Sequence, residues 1–171
     1  AQASVARSQG RLRKISIAFY KFLQAVFGAD PVDPNAMVLA TAGKDGKPSA
    51  RTALLKGVDE RGFVFYTNYE SRKGRELSEN PSASLVFYWS DLERQVCVSG
   101  RVTQLSREES EAYFRSRPKG SRLATWASNQ SDVIQSREAL EAKWEEAEAK
   151  FPGSDVPLPP YWGGYVLAPE R

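Results

Sequence analysis

From residue 36 to residue 105 the chain repeats one motif: a short apolar run, then a turn rich in Gly, Asp or Pro. "AMVLATA" (36–42) precedes "GKDGKP", "SARTALLK" (49–56) precedes "GVDERG" (57–62), and "FVFYTN" (63–68) follows. "SASLVFYW" (82–89), the turn "SDLE" and "RQVCVSGRVTQL" (94–105) add a second long hairpin. Runs of this length with β-branched and aromatic residues read as strands, and the breakers between them as tight turns. Only one short helix fits among them, between Ser71 and Pro81. That spacing predicts a mainly β chain with flanking helices, built as an antiparallel meander or closed barrel rather than β-α-β units.

Helical signals lie outside this block. "SREE" (106–109) is a capping box, with Ser106 as N-cap and Glu109 three residues on. Its helix should run to about Arg117 and stop at Pro118. Residues 119–135 read as irregular, "SREALEAKWEEAEAKF" (136–151) as a charged helix, "VPLPPYW" as an extended connector and "GGYVLAPER" as a last strand. Residues 1–29 hold Arg7, Arg11, Arg13, Lys14 and Lys21 and no acid. Ile15, Phe19, Phe22, Leu23, Val26 and Phe27 form one helical stripe there, so an amphipathic helix is expected, with an organellar targeting segment as the other reading. The division is an extension over 1–29 and one domain over 30–171.

The available chemistry is narrow. The chain has no histidine and one cysteine, which removes His-based triads, His-ligated metals, Cys clusters and internal disulfides. Cys97, inside an apolar strand, reads as a small core residue. No Gly-rich nucleotide motif occurs. If the chain is an enzyme, a cofactor should carry the hard chemistry, with the protein supplying anion binding and orientation. A net charge of +3 permits an anionic ligand without demanding nucleic acid. No apolar run reaches the roughly 20 residues that cross a membrane, and a cytoplasmic or other reducing location is expected.

Two places invite an anion. In "NYESRKGREL" (68–77) Ser71 reads as an N-cap, and Arg72, Lys73 and Arg75 fill the first turn. A helix start already carries partial positive charge and favours acids. Three cations there make sense if a phosphate joins them, with Gly74 letting the backbone approach. A solvated basic turn beside Glu70 and Glu76 fits equally. In the second place Tyr113 and Arg117 sit four apart on one helical face, and Ser121 follows Pro118. A phenol, a guanidinium and a hydroxyl can hold a phosphate. A Tyr packed on the sheet with Arg at a helix end fits too. Arg51 and Lys56, five apart, should face opposite ways unless a bulge intervenes.

The stretch from Pro34 to Trp89, "ERQVCVSGRV", "YFRSRPKGS", "WASNQSDVI" and "WGGYVLAPE" resemble the pyridoxine/pyridoxamine 5′-phosphate oxidase family, in order and nearly without interruption. The resemblance implies a Greek-key split β-barrel that binds FMN at the interface of a homodimer. It implies that Arg51, Thr52, Ala53, Leu54, Leu55 and Lys56 line the flavin, with Tyr66, Thr67, Gln95, Gln130 and Ser131. It gives Arg72 and Lys73 the FMN phosphate, and Lys56, Tyr113, Arg117 and Ser121 the phosphate of a vitamin B6 substrate. The implied reaction is oxidation of pyridoxamine or pyridoxine 5′-phosphate to pyridoxal 5′-phosphate, with oxygen as acceptor and no metal. The family continues past "APER" with segments resembling E-F-W-Q-G and R-L-H-D-R. A 171-residue chain without them is expected to hold FMN better than it turns over. Two other readings are a split-barrel flavoprotein of different or weak activity and a non-enzymatic basic module for nucleic acid, for which no RNA-binding signature is present.

Overall fold

The computed structural model describes residues 33–170. The helix and extension expected over 1–29 lie outside them. The described residues form seven strands: β1 (Ala36–Ala42), β2 (Pro48–Leu54), β3 (Gly57–Asp59), β4 (Gly62–Asn68), β5 (Ser82–Trp89), β6 (Arg94–Gln104) and β7 (Trp162–Pro169). Four helices join them: α1 (Arg72–Glu79), α2 (Arg107–Ser116), α3 (Lys119–Ala127) and α4 (Arg137–Lys150). The sheet order is β2-β1-β5-β6-β7-β4-β3. The neighbours β1–β5 and β7–β4 are not consecutive in the chain, so the sheet is not a meander. They are crossovers of the Greek-key kind that the resemblance implies. The chain divides into two compact units.

The described part of the first unit comprises 33–65, 76–103 and 165–170. β1 pairs antiparallel with β2 and with β5, and β5 with β6. β5 shows why: Ala83, Leu85, Phe87 and Trp89 are buried while Ser84, Val86 and Tyr88 alternate outward. Phe87 and Trp89 stack at 5.6 Å, and the Trp89 indole donates to the Pro34 carbonyl at 3.0 Å. Two expectations are corrected here. "GVDERG" is not only a turn: Gly57–Asp59 forms β3, antiparallel to β4, and the turn is confined to the residues between. Cys97 is exposed, because Val98, Gly100 and Val102 take the inner face of β6 and parity sends Cys97 outward.

The second unit comprises 66–75 and 104–164. The capping box forms as expected: Ser106 Oγ accepts from the Glu109 N–H at 3.1 Å, and Glu109 accepts from the Ser106 N–H at 3.2 Å. Residues 119–127, irregular by their sequence, are helix α3 instead. Pro118 stands at its N-cap, so the ring costs no hydrogen bond. Leu123 and Ala127, four apart, bury one stripe. That stripe joins Phe114, Ala147, Val156, Leu158 and Trp162 in one core. The Pro-rich connector is held by Arg107, which donates to the carbonyls of Leu158 (2.5 Å) and Pro159 (2.8 Å), and by the Trp126 indole on Pro157 (2.9 Å). At Gly163 a Cβ would collide with the Tyr69 hydroxyl, which is why that position carries no side chain.

Candidate functional site

The second unit carries two cationic clusters. The first begins at α1, whose first turn contains no acid. Ser71 is buried; its Oγ accepts from the Gly74 N–H at 3.3 Å and donates to the Asn68 carbonyl at 2.6 Å. Ser71 is therefore the N-cap that the spacing predicts. Lys73 is buried, and its ammonium donates to Ser71 Oγ (3.2 Å) and Gln130 Oε1 (2.9 Å). Gln130 Oε1 also accepts from Thr67 Oγ1 at 2.9 Å and from the Asn68 N–H at 3.4 Å. Three donors on one atom identify it as the amide oxygen, so the amide NH₂ remains a donor. Thr67 and Lys73 thus meet Gln130, 57 residues beyond Lys73, around one atom. Ser131 follows with φ 76°, a left-handed conformation for a residue with a side chain. Arg72 is exposed on the same first turn. Gly74 has a different cause from the one its position suggests: a Cβ there would overlap the Tyr69 carbonyl. Packing, rather than ligand approach, excludes a side chain.

The second cluster gathers Tyr113, Arg117 and Ser121. α2 ends at Ser116, and Arg117 is its C-cap in extended conformation (φ −74°, ψ 147°). Tyr113 and Arg117 therefore do not continue one helical face. Arg117 instead lies over the Trp162 ring, 4.8 Å from its centroid, and donates to Thr125 Oγ1 at 3.0 Å. Tyr113 stacks on Tyr66 at 3.8 Å, and both rings lie nearly parallel to Trp162. Burial raises the Tyr113 pKa and the Arg117 cation opposes it; the net shift is upward, so the phenol stays a neutral donor at neutral pH. Ser121 sits in the first turn of α3, half-buried. Trp162, Thr125 and Arg122 also belong to this cluster and were missed by sequence reasoning.

In the first unit Arg51, Thr52, Ala53 and Leu54 lie on β2, and Leu55 and Lys56 follow it. Lys56 is past the strand end, its N–H bonded to the Val64 carbonyl at 2.8 Å, so strand parity does not relate it to Arg51. The Arg51 guanidinium donates to the Leu39 carbonyl (3.1 Å), Thr41 Oγ1 (2.5 Å), Ser49 Oγ and Glu76 Oε2 (3.3 Å). Gln95 is exposed on β6, and its amide reaches Cys97 Sγ at 3.4 Å.

Both clusters of the second unit consist of ammonium, guanidinium, hydroxyl and amide donors. Such a set fits a phosphate and suits neither a metal nor a cationic ligand. An FMN phosphate matches the first, where helix-start N–H groups add to the charge.

Comparison with known proteins identifies the family. The profile of the family described as "Pyridoxamine 5′-phosphate oxidase" matches residues 23–151. A pyridoxine/pyridoxamine 5′-phosphate oxidase of Rubrobacter xylanophilus is 57% identical over 153 residues, 90% of this chain and 70% of that protein. The same enzyme of Paraburkholderia phytofirmans is 60% identical over 149 residues, 87% of this chain and 69% of that protein. Among solved structures, PhzG from Burkholderia lata, in complex with tetrahydrophenazine-1-carboxylic acid, is 36% identical with a TM-score of 0.85, covering 90% of this chain and 75% of that one. A pyridoxamine 5′-phosphate oxidase-related, FMN binding protein of Nostoc punctiforme shares the fold at 19% identity and a TM-score of 0.63, covering 98% of this chain and 78% of that one.

Proposed function

The chain belongs to the pyridoxamine 5′-phosphate oxidase family, with its split-barrel fold, and from that premise we propose that it oxidises pyridoxamine or pyridoxine 5′-phosphate to pyridoxal 5′-phosphate with FMN and oxygen. The observation that carries this reading is the presence of two separate phosphate-type donor clusters in one unit. One suits a flavin phosphate and the other a phosphorylated substrate.

Bound FMN supplies the hydride acceptor and the route to oxygen, with hydrogen peroxide as by-product. The residues of the chain bind and orient. Arg72 and Lys73 hold the flavin phosphate. The bonds from Thr67 and Lys73 to Gln130 fix the amide that faces the flavin, with Ser131 beside it. Tyr113, Arg117 and Ser121 hold the substrate phosphate, and the Trp162 face keeps the guanidinium flat. On this reading Lys56 serves that phosphate as well, and Arg51–Lys56, Tyr66 and Gln95 line the flavin, as the family resemblance implies. Gripping a phosphate remote from the reacting carbon spends binding energy on orientation, the term that matters when two rings must meet in register.

The likeness to PhzG supports a second reading, oxidation of a polycyclic aromatic acid by the same flavin chemistry. A substrate panel at saturating FMN separates them. The expected order is pyridoxamine 5′-phosphate well above pyridoxamine, with no turnover of tetrahydrophenazine-1-carboxylic acid. Equal rates with and without the substrate phosphate would overturn the assignment of the second cluster.

We further propose a homodimer. In the first unit Val38, Leu54 and Tyr88 are exposed (42%, 42% and 65%); the other face is buried on β1 and β5 and half-buried on β2. Exposed apolar residues grouped on one sheet mark an interaction surface. Phe87 and Trp89 are not part of it, contrary to a reading of the aromatic run alone, because both are core. Light scattering across a dilution series should give twice the 19.0 kDa chain mass. A monomer mass throughout would contradict the proposal.

A further inference from the structure

Arg122 has no role in the assignments above. It sits in the first turn of α3, three residues before Thr125 and next to Ser121. Its side chain is half-buried, and its Nε is fully buried with no hydrogen-bond partner. Among the described residues no carboxylate pairs with Arg122 or with Arg117. A buried donor left unsatisfied is costly, and protein interiors rarely keep one without a reason. The cost rises when a second guanidinium is close. Burial is the main cause lowering the Arg117 pKa; a Tyr113 phenolate would oppose it, and the Arg122 cation adds to it. The two cations are therefore within electrostatic reach of one another, with nothing in the described chain to neutralise them. Beside them stand the Thr125 hydroxyl, which accepts from Arg117 at 3.0 Å, the neutral Tyr113 phenol and, at the start of α3, the Ser121 hydroxyl and the first N–H groups; none of these carries a negative charge. That helix begins at Pro118, which offers no side-chain cap, and its first turn contains no acid. By helix geometry the N–H groups of Lys119, Gly120 and Ser121 have no intrahelical acceptor.

We propose that Arg122 is a further substrate-binding residue, which completes a two-guanidinium seat for the dianionic phosphate together with Arg117. The inference rests on the reading of the second cluster as the substrate's phosphate site and extends it beyond Tyr113, Arg117 and Ser121. Two guanidiniums can each donate to different oxygens of one phosphate, and the anion relieves the repulsion between them. A carboxylate offers fewer oxygens and less charge, so the pair favours phosphorylated ligands over carboxylated ones.

The test is binding of pyridoxal 5′-phosphate and of pyridoxal to the FMN-loaded wild type, R122Q and R122K, with thermal melting of each. For R122Q the expected result is about tenfold or greater loss of pyridoxal 5′-phosphate affinity, the scale of one charge-assisted hydrogen bond. Pyridoxal affinity, FMN affinity and melting temperature should be unchanged, and R122K should recover part of the loss. Unchanged affinity of R122Q for pyridoxal 5′-phosphate, beside tight wild-type binding, would overturn the role of Arg122. Parallel loss for pyridoxal and pyridoxal 5′-phosphate would also overturn it, since that marks a structural role. If the wild type itself does not prefer pyridoxal 5′-phosphate over pyridoxal, the reading of the whole cluster fails instead.

Discussion

Replacing Arg72 and Lys73 together by alanine is expected to weaken FMN binding by about two to four orders of magnitude. In the proposed site each residue would offer the flavin phosphate one charge-assisted hydrogen bond, worth about 1.5–3 kcal/mol. Summed over the two residues this is about 3–6 kcal/mol, and each 1.4 kcal/mol is tenfold in affinity. Lys73 has a second effect. It is one of three donors on Gln130 Oε1, so its loss also loosens the amide beside the flavin. Fluorescence titration of FMN into the double variant measures the loss. Riboflavin, which lacks the phosphate, is the control: it should lose only what the loosened amide costs, far less than FMN loses. Equal FMN affinity in wild type and variant would remove the helix start from the site.

Arg117→Ala is expected to raise the half-saturating concentration of pyridoxamine 5′-phosphate by about ten- to a hundredfold, with FMN affinity within about twofold of wild type. The substitution removes a charged hydrogen bond of about 1.5–3 kcal/mol. The guanidinium is preorganised by the Trp162 face and by Thr125 Oγ1, so little ordering cost offsets its contribution. Thr125 keeps its bond to the Ser121 carbonyl at 3.0 Å, so α3 should remain intact in the variant. Steady-state kinetics at saturating FMN separates the outcomes. A variant that loses its flavin but retains substrate affinity would show that Arg117 serves the other phosphate.

The strands were legible because most of them are half-buried and alternate: Leu85, Phe87 and Trp89 inward, Val86 and Tyr88 outward. The same parity exposes Cys97, but one strand in isolation does not say which face is inner; Val98 and Val102 decide it only once β6 has neighbours. α3 was missed for a local reason. Pro118, Gly120 and Ser121 read as breakers, yet at a helix start each is tolerated, and the decisive pair Leu123 and Ala127 is too short a stripe to stand out. β3 was hidden because three residues are below the length at which alternation can be seen.

The site divides in the same way. The helix start at Arg72 and Lys73 and its Ser71 cap were legible from spacing; from physics alone an anion and a solvated basic turn fit these cations equally, and the phosphate belongs to the proposal. The meeting of Thr67, Lys73 and Gln130 depends on tertiary structure, and only the family resemblance pointed to Gln130 beforehand. For Tyr113 and Arg117 the grouping was right and the geometry was not. They converge because Arg117 leaves the helix and turns onto Trp162, not because they share a helical face. Arg122 had no sequence signal of its own; its buried, unpartnered Nε is visible only in three dimensions.

The central claim is that two phosphate seats on one chain bring a flavin and a B6 phosphate together for oxidation. The most direct measurement is pyridoxal 5′-phosphate formation in air from saturating pyridoxamine 5′-phosphate, with and without added FMN, while oxygen consumption is followed in the same vessel. The account predicts product that depends on both protein and FMN, with one oxygen consumed per pyridoxal 5′-phosphate formed. No product above the FMN-only control, in protein shown to have bound both ligands, would contradict it.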